Sequence, residues 1–123
     1  MAYPYKKMDE DDFAYIRSVT ADDRVWVGEE IGEEYHRDEM PEHGVYPPEL
    51  YVEVLDKEEI SKIMAYAYEK NIPVVCRGAG TGLAGGATCK YGGIMLSVMR
   101  MNRIFPVDHK NQTITVQPGA LLL

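Results

Sequence analysis

Val74-Val75-Cys76-Arg77-Gly78-Ala79-Gly80-Thr81-Gly82-Leu83-Ala84-Gly85-Gly86-Ala87 sets five glycines among the nine residues from Gly78 to Gly86, directly behind an apolar run. Glycine reaches positive φ without steric penalty and leaves peptide N–H groups uncovered. A turn this bare therefore suits an anion such as a phosphate or pyrophosphate. The alternative is a long loop that needs glycine for its shape alone. Gly80-x-Gly82-x-x-Gly85 fits the dinucleotide pattern, and Ile72 to Cys76 reads as the strand before it. A Rossmann turn must also open a helix whose N-terminus carries the pyrophosphate, with an acidic residue about 20 positions further on. The following Gly85-Gly86-Ala87-Thr88-Cys89-Lys90-Tyr91-Gly92-Gly93 is too rich in glycine to sustain that helix. A P-loop fails as well, because Lys90 is followed by Tyr91 rather than by Ser or Thr. An anion bound here would be held by peptide amides, with Thr81 as a further donor, and without a helix dipole.

Working outward from the loop, the periodicities predict one α+β domain. Asp9 caps a helix from Glu10 to Val19, with Phe13, Ile16 and Val19 spaced for one face. Asp22 to Val27 reads as a helical turn, and Gly44 to Pro48 as an extended entry in which Pro47 and Pro48 exclude helix. Tyr51 to Val54 is expected as a strand. Asp56 then caps a helix through about Lys70, since Ile60, Ile63, Met64 and Ala67 fall at helical spacing, and Asn71 with Pro73 stops it. With Ile72 to Cys76 as the next strand, a βαβ unit leads into the glycine loop. Gly93 to Val98, Arg103 to Val107 and Thr113 to Gln117 follow as a strand meander, the first two joined by a turn at Met101-Asn102. Thr113, Thr115 and Gln117 alternate with Ile114 and Val116, as in a half-buried strand.

Composition narrows the function classes. Twenty acidic against thirteen basic residues give a net charge of −7, which argues against non-specific nucleic-acid binding. The acidic runs Asp9 to Asp12 and Glu29 to Glu42 read as solvated surface, Glu29, Glu30, Glu33 and Glu34 included. No apolar stretch reaches the length of a membrane span and the N-terminus has no signal-peptide core, so a cytoplasmic location is expected. Cys76 and Cys89 have no metal or disulfide spacing and are expected as reduced thiols, with Cys76 packed in the core. His36, His43 and His109 lack ligand spacing, so no metal site is expected. Tyr66 and Tyr68, two apart on a helix, point different ways and form no stacking platform. Arg77 stands beside the loop either as a phosphate partner or as half of a surface salt bridge.

Pro73 to Ala87, then Gly92-Gly93-Ile94-Met95-Leu96-Ser97, Arg100-Met101-Asn102-Arg103-Ile104 and Val116-Gln117-Pro118-Gly119, resemble in order and spacing the FAD-binding domain of the FAD-linked oxidases, the PCMH/VAO type. The likeness is nearest to the branch of the glycolate oxidase catalytic subunit and the D-lactate dehydrogenases. It covers roughly Pro48 to the C-terminus, which sets a helical N-terminal segment, 1–47, before a first portion of FAD-binding domain, 48–123. Tyr35-His36-Arg37-Asp38-Glu39-Met40 also resembles the "Tyr, then Asp-Glu" segment of that branch. The resemblance implies that Arg77, Gly78, Ala79, Gly80, Thr81 and Gly82 wrap the FAD pyrophosphate, with Leu83 and Gly86 adjoining. It also implies that Pro118 and Gly119 approach the flavin side. The loop holds no histidine, so the FAD is expected to be non-covalent.

A chain of 123 residues is about one small domain, shorter than those enzymes need. It reads as an N-terminal fragment of a flavin-dependent 2-hydroxy-acid dehydrogenase or oxidase, inactive alone, with weak or no FAD affinity and no catalytic residue of its own. Its expected partners are FAD, the missing C-terminal part and a second copy of itself, paired through an unfinished sheet edge and the apolar tail Ala120-Leu121-Leu122-Leu123. A different class stays open: a standalone, non-catalytic module that binds a nucleotide or only oligomerises.

Overall fold

The computed structural model describes residues 4–40, 42 and 44–122; His43 and Leu123, named above, lie outside them. Helix α1, Glu10–Val19, begins with a reciprocal capping box: Asp12 N–H donates to Asp9 (3.1 Å) and Asp9 N–H to Asp12 (3.0 Å). Helix α2, Lys57–Lys70, starts on Asp56, which accepts the Glu59 N–H, and ends where Asn71 turns left-handed at φ 59°. Both helices keep the expected bounds, because cap and stop lie in the sequence itself. Ile16 of α1 and Ile63 and Ala67 of α2 are buried, whereas Tyr68 is 91% exposed and Tyr66 turns inward to donate to Asp12 at 2.6 Å.

Four strands, β1 Val25–Val27, β2 Leu50–Glu53, β3 Val74–Arg77 and β4 Ile94–Ser97, form one sheet in the order β1-β2-β4-β3. β1 runs antiparallel to β2, while β2, β4 and β3 are parallel. The α+β class is as expected, with three differences in detail. The segment read as a helical turn is a short 3₁₀ turn, Asp22–Arg24, followed by β1. Arg24 decides that placement: its guanidinium grips both oxygens of Glu59 (2.8 and 2.7 Å) and the Glu53 carbonyl (2.8 Å), drawing the next residues onto β2. Second, β2 and β3 of the βαβ unit are not neighbours, because β4 is inserted between them.

Third, the expected strands 103–107 and 113–117 pair only at two isolated bridges, Ile104 with Val116 and Asp108 with Thr113. The half-buried strand expected at Thr113 to Gln117 is corrected here: Ile114 is 51% and Val116 47% exposed. The alternation is present, but no described element packs on its apolar side. Cys76 is likewise exposed rather than buried, whereas Cys89 is buried. Its row partners Val52 and Leu96 lie inside the sheet, but β3 is the edge strand, with a neighbour on one flank only.

The register gives the sheet two chemically distinct faces. Leu50, Ile94 and Val74 form one row and Val52 and Leu96 belong to another, both packed with α1 and α2 in the main core. Tyr51, Met95 and Val75 form a row on the opposite face, covered by Ile31, Tyr35 and Cys89. The last row on that face is polar: Glu53, Ser97 and Arg77, at the carboxyl ends of the parallel strands. Parallel neighbours cannot be joined by a tight turn, so the chain from β3 to β4 must return along the sheet. Here the glycine loop, 78–93, makes that return without a helix, and so lies over the second face.

Candidate functional site at the carboxyl ends of the parallel strands

A cleft of about 800 Å³ opens where the polar row meets the start of the glycine loop. That volume lies within the range of small-molecule sites, and the carboxyl ends of parallel strands are where open α/β sheets bind ligands. Tyr51 and Glu53 floor it, Gly78, Ala79 and Gly80 form one wall, Tyr35, Asp38 and Glu39 another, and Met99 and Leu121 an apolar rim. Tyr51 donates to Glu53 at 3.0 Å, and Arg100 pairs with the other Glu53 oxygen at 2.7 Å. Burial pushes the Tyr51 hydroxyl well above its usual pKa, so it remains a hydrogen-bond donor at neutral pH.

Gly80 and Gly85 adopt φ of +73° and +76°, the left-handed region that only glycine takes cheaply. Gly78, Gly82 and Gly86 do not, and a Cβ built on any of the three would meet nothing within 4 Å. Packing inside this chain therefore gives no reason for glycine at those three positions. Among the described residues no hydrogen-bond partner meets the N–H of Gly78, Ala79, Gly80, Thr81 or Gly82. Gly78, Ala79, Thr81 and Gly82 are exposed and Gly80 is buried against Arg77; amides without a partner in an exposed loop suit the pyrophosphate of a dinucleotide, so the residues present fit such a group.

Arg77 is neither exposed nor salt-bridged, which overturns the surface salt-bridge alternative. It is 6% exposed, and its guanidinium donates to three backbone carbonyls, Glu34 (2.9 Å), Arg37 (3.0 Å) and Ala87 (3.3 Å), while lying over the Tyr35 ring. It also explains Gly80, where a Cβ would overlap the Arg77 guanidinium. The other predicted residues are dispersed. Thr81, Gly82 and Leu83 run exposed beyond the cleft wall, and Gly86 lies on the return. The Pro118-Gly119 turn is outside the cleft: Gly119 N–H donates to Met101 at 2.8 Å, and a Cβ there would overlap the Val98 carbonyl. Its neighbour Leu121 reaches the rim.

Sequence reasoning missed Tyr51, Glu53, Met99 and Leu121. Tyr51 and Glu53 sit two apart on a strand and so share a face, a signal present in the sequence; Met99 and Leu121 had none, because folding alone brings them together. Cys89, beneath the loop, is buried and its thiol is pushed up to about 12 by desolvation, so it packs rather than reacts. Among the described residues no three His, Cys, Asp or Glu side chains are grouped to hold a metal ion. No described helix is long and apolar enough to cross a membrane.

A family model described as FAD binding domain matches residues 48–123. The chain is 38% identical over 120 residues to a D-lactate dehydrogenase of Anaerostipes hadrus, covering 98% of this chain and 25% of that protein. It is 37% identical over 89 residues to the glycolate oxidase subunit GlcD of Bacillus subtilis (strain 168), covering 72% of this chain and 19% of that protein. Among solved structures, p-cresol methylhydroxylase with bound substrate superposes with a TM-score of 0.75 at 23% identity, covering 97% of this chain and 24% of that one, which shows a shared fold. The chain spans about a quarter or less of the length of these curated relatives.

Proposed function

The chain belongs to the FAD binding domain family, with FAD as the cofactor, and from that premise we propose that it cradles the FAD pyrophosphate for an oxidoreductase acting on 2-hydroxy acids. One observation carries the assignment of the cradle. Gly78, Gly82 and Gly86 have no packing reason to be glycine, and the amides from Gly78 to Gly82 are unpartnered among the described residues. Gly78, Ala79, Gly80, Thr81 and Gly82 then supply backbone donors to the pyrophosphate, with Leu83 and Gly86 at its flank. Arg77 shapes the wall from beneath. Pro118 and Gly119 set the position of Leu121 at the rim, on the side towards the flavin. Bound FAD supplies a flavin ring that accepts a hydride from the substrate carbon; this chain contributes binding and orientation.

The substrate class is taken from what the D-lactate dehydrogenase and glycolate oxidase relatives are named for. In this reading the remaining machinery lies in sequence beyond the quarter of the relatives that this chain spans, and the protein works in the cytoplasm. The exposed Ile104, Ile114, Val116 and Leu121, together with the edge strands β1 and β3, support self-association. The test is a flavin-fluorescence titration of the 123-residue chain beside Gly78→Glu, with thermal melting of both. Saturable binding by the wild type, lost in a variant that melts normally, supports the cradle. A variant that binds FAD as well as the wild type would end the assignment.

A further inference from the structure

We propose that Asp38 is a positioning residue for the cofactor: it holds the glycine loop in its binding shape by accepting a hydrogen bond, and it does not itself touch FAD. The inference rests on the FAD reading above. Asp38 is only 7% exposed. Its two oxygens serve two segments, Oδ2 accepting from Gly85 N–H at 2.6 Å and Oδ1 from Met40 N–H at 2.8 Å. The strap from Glu34 to Met40 is thereby stitched to both flanks of the loop. Arg77 binds the strap carbonyls of Glu34 and Arg37 where the loop begins, and Asp38 binds Gly85 where it turns back. A third link, Glu39 N–H to the Gly82 carbonyl at 3.3 Å, lies between them. Gly85 is fixed from its other side by Thr88, whose N–H and hydroxyl both donate to the Gly85 carbonyl (3.2 and 2.7 Å).

Glycine-rich backbone loses more freedom on ordering than any other, so a loose loop would charge that loss against cofactor binding. Stitching the loop to the strap moves the cost into folding. The same bond also takes the Gly85 amide out of the ligand set, which leaves the stretch Gly78–Gly82 as the donor surface. A carboxylate beside a pyrophosphate site carries an opposing effect, since like charge repels. Hydrogen-bond acceptance and charge thus predict opposite consequences of removing Asp38, and the two can be separated.

Asp38→Ala removes both acceptors and the charge; Asp38→Asn removes the charge and leaves one acceptor oxygen for the two N–H groups, of Gly85 and Met40, that the carboxylate serves. Two measurements are made on each and on the wild type: amide hydrogen exchange across Gly80–Gly85 without FAD, and FAD affinity by flavin fluorescence. Positioning predicts faster loop exchange and about tenfold weaker FAD in Asp38→Ala, with Asp38→Asn about threefold from wild type and between the two in both readings, whereas charge repulsion alone predicts tighter FAD in both variants. Unchanged exchange or unchanged affinity in Asp38→Ala would overturn the proposal, as would either variant binding FAD more tightly than wild type. If Asp38→Ala fails to fold, Asp38→Asn decides alone: faster loop exchange with weaker FAD supports positioning, and wild-type values in both overturn it. If the wild type binds no FAD while the exchange follows the prediction, it is the FAD reading that fails and the positioning role that stands.

Discussion

Replacing Gly80 by alanine tests the link between the buried arginine and the loop. At φ +73° an L-residue costs about 1–2 kcal/mol. The new Cβ would overlap the Arg77 guanidinium, which cannot withdraw without giving up donors to Glu34, Arg37 or Ala87. Each hydrogen bond from a charged group contributes about 1.5–3 kcal/mol, so losing one brings the whole to about 3–5 kcal/mol. Gly78→Ala is the control, two residues away: it has no positive φ, and its Cβ meets nothing within 4 Å. Its stability should stay within about 0.5 kcal/mol of wild type, while its FAD affinity falls because the methyl enters the cradle. Urea unfolding followed by the fluorescence of Trp26, the chain's single tryptophan, reads the first quantity, and flavin fluorescence reads the second. A Gly80→Ala loss under about 1 kcal/mol, or equal losses in the two variants, would refute the arginine keystone.

Breaking the Arg24–Glu59 pair, whose side chains are 8% and 13% exposed, leaves a buried charge without its partner; Arg24→Ala should cost about 3–5 kcal/mol in urea unfolding. Burial works to raise the Asp12 pKa, but hydrogen bonds from Lys6, Tyr66 and the Asp9 N–H outweigh it and hold the group below its ordinary 3.8. A depressed folded-state pKa contributes stability above 3.8 that is lost as pH falls through the lower folded value. The urea midpoint should therefore drop between pH 6 and pH 3, and drop less in Asp12→Asn. A thiol reagent on the native protein should modify Cys76 alone, with Cys89 reacting only after denaturation, checked by mass of the labelled peptides.

What could be read from the sequence was local or rested on an ordered set of motifs. Asp9 with Asp12 and Asp56 with Asn71 fixed both helices, because caps and stops act within a few residues of the chain they terminate. The glycine loop, the absence of a helix after it and the FAD family were legible for the same reason. The glycine-rich stretch was read from composition as a loop suited to an anion, and its residues Gly78, Ala79 and Gly80 line the cleft.

Everything that depended on contact across the chain came from the tertiary structure. Insertion of β4 between β2 and β3 is a choice among pairings, which no periodicity encodes. Arg77 reads in sequence as a cation beside a phosphate loop, yet its partners are carbonyls as far as 43 residues away, and only folding delivers them. Cys76 pairs with the buried Leu96 across the sheet, but strand order put it on an edge and in solvent. The sequence by itself determined which segments are helical, where the bare loop lies and which cofactor family it serves, since those follow from short-range sterics and the spacing of motifs. The fold alone decided which glycines stand in open space and which make room for an arginine, because that distinction depends on what lies across the cleft.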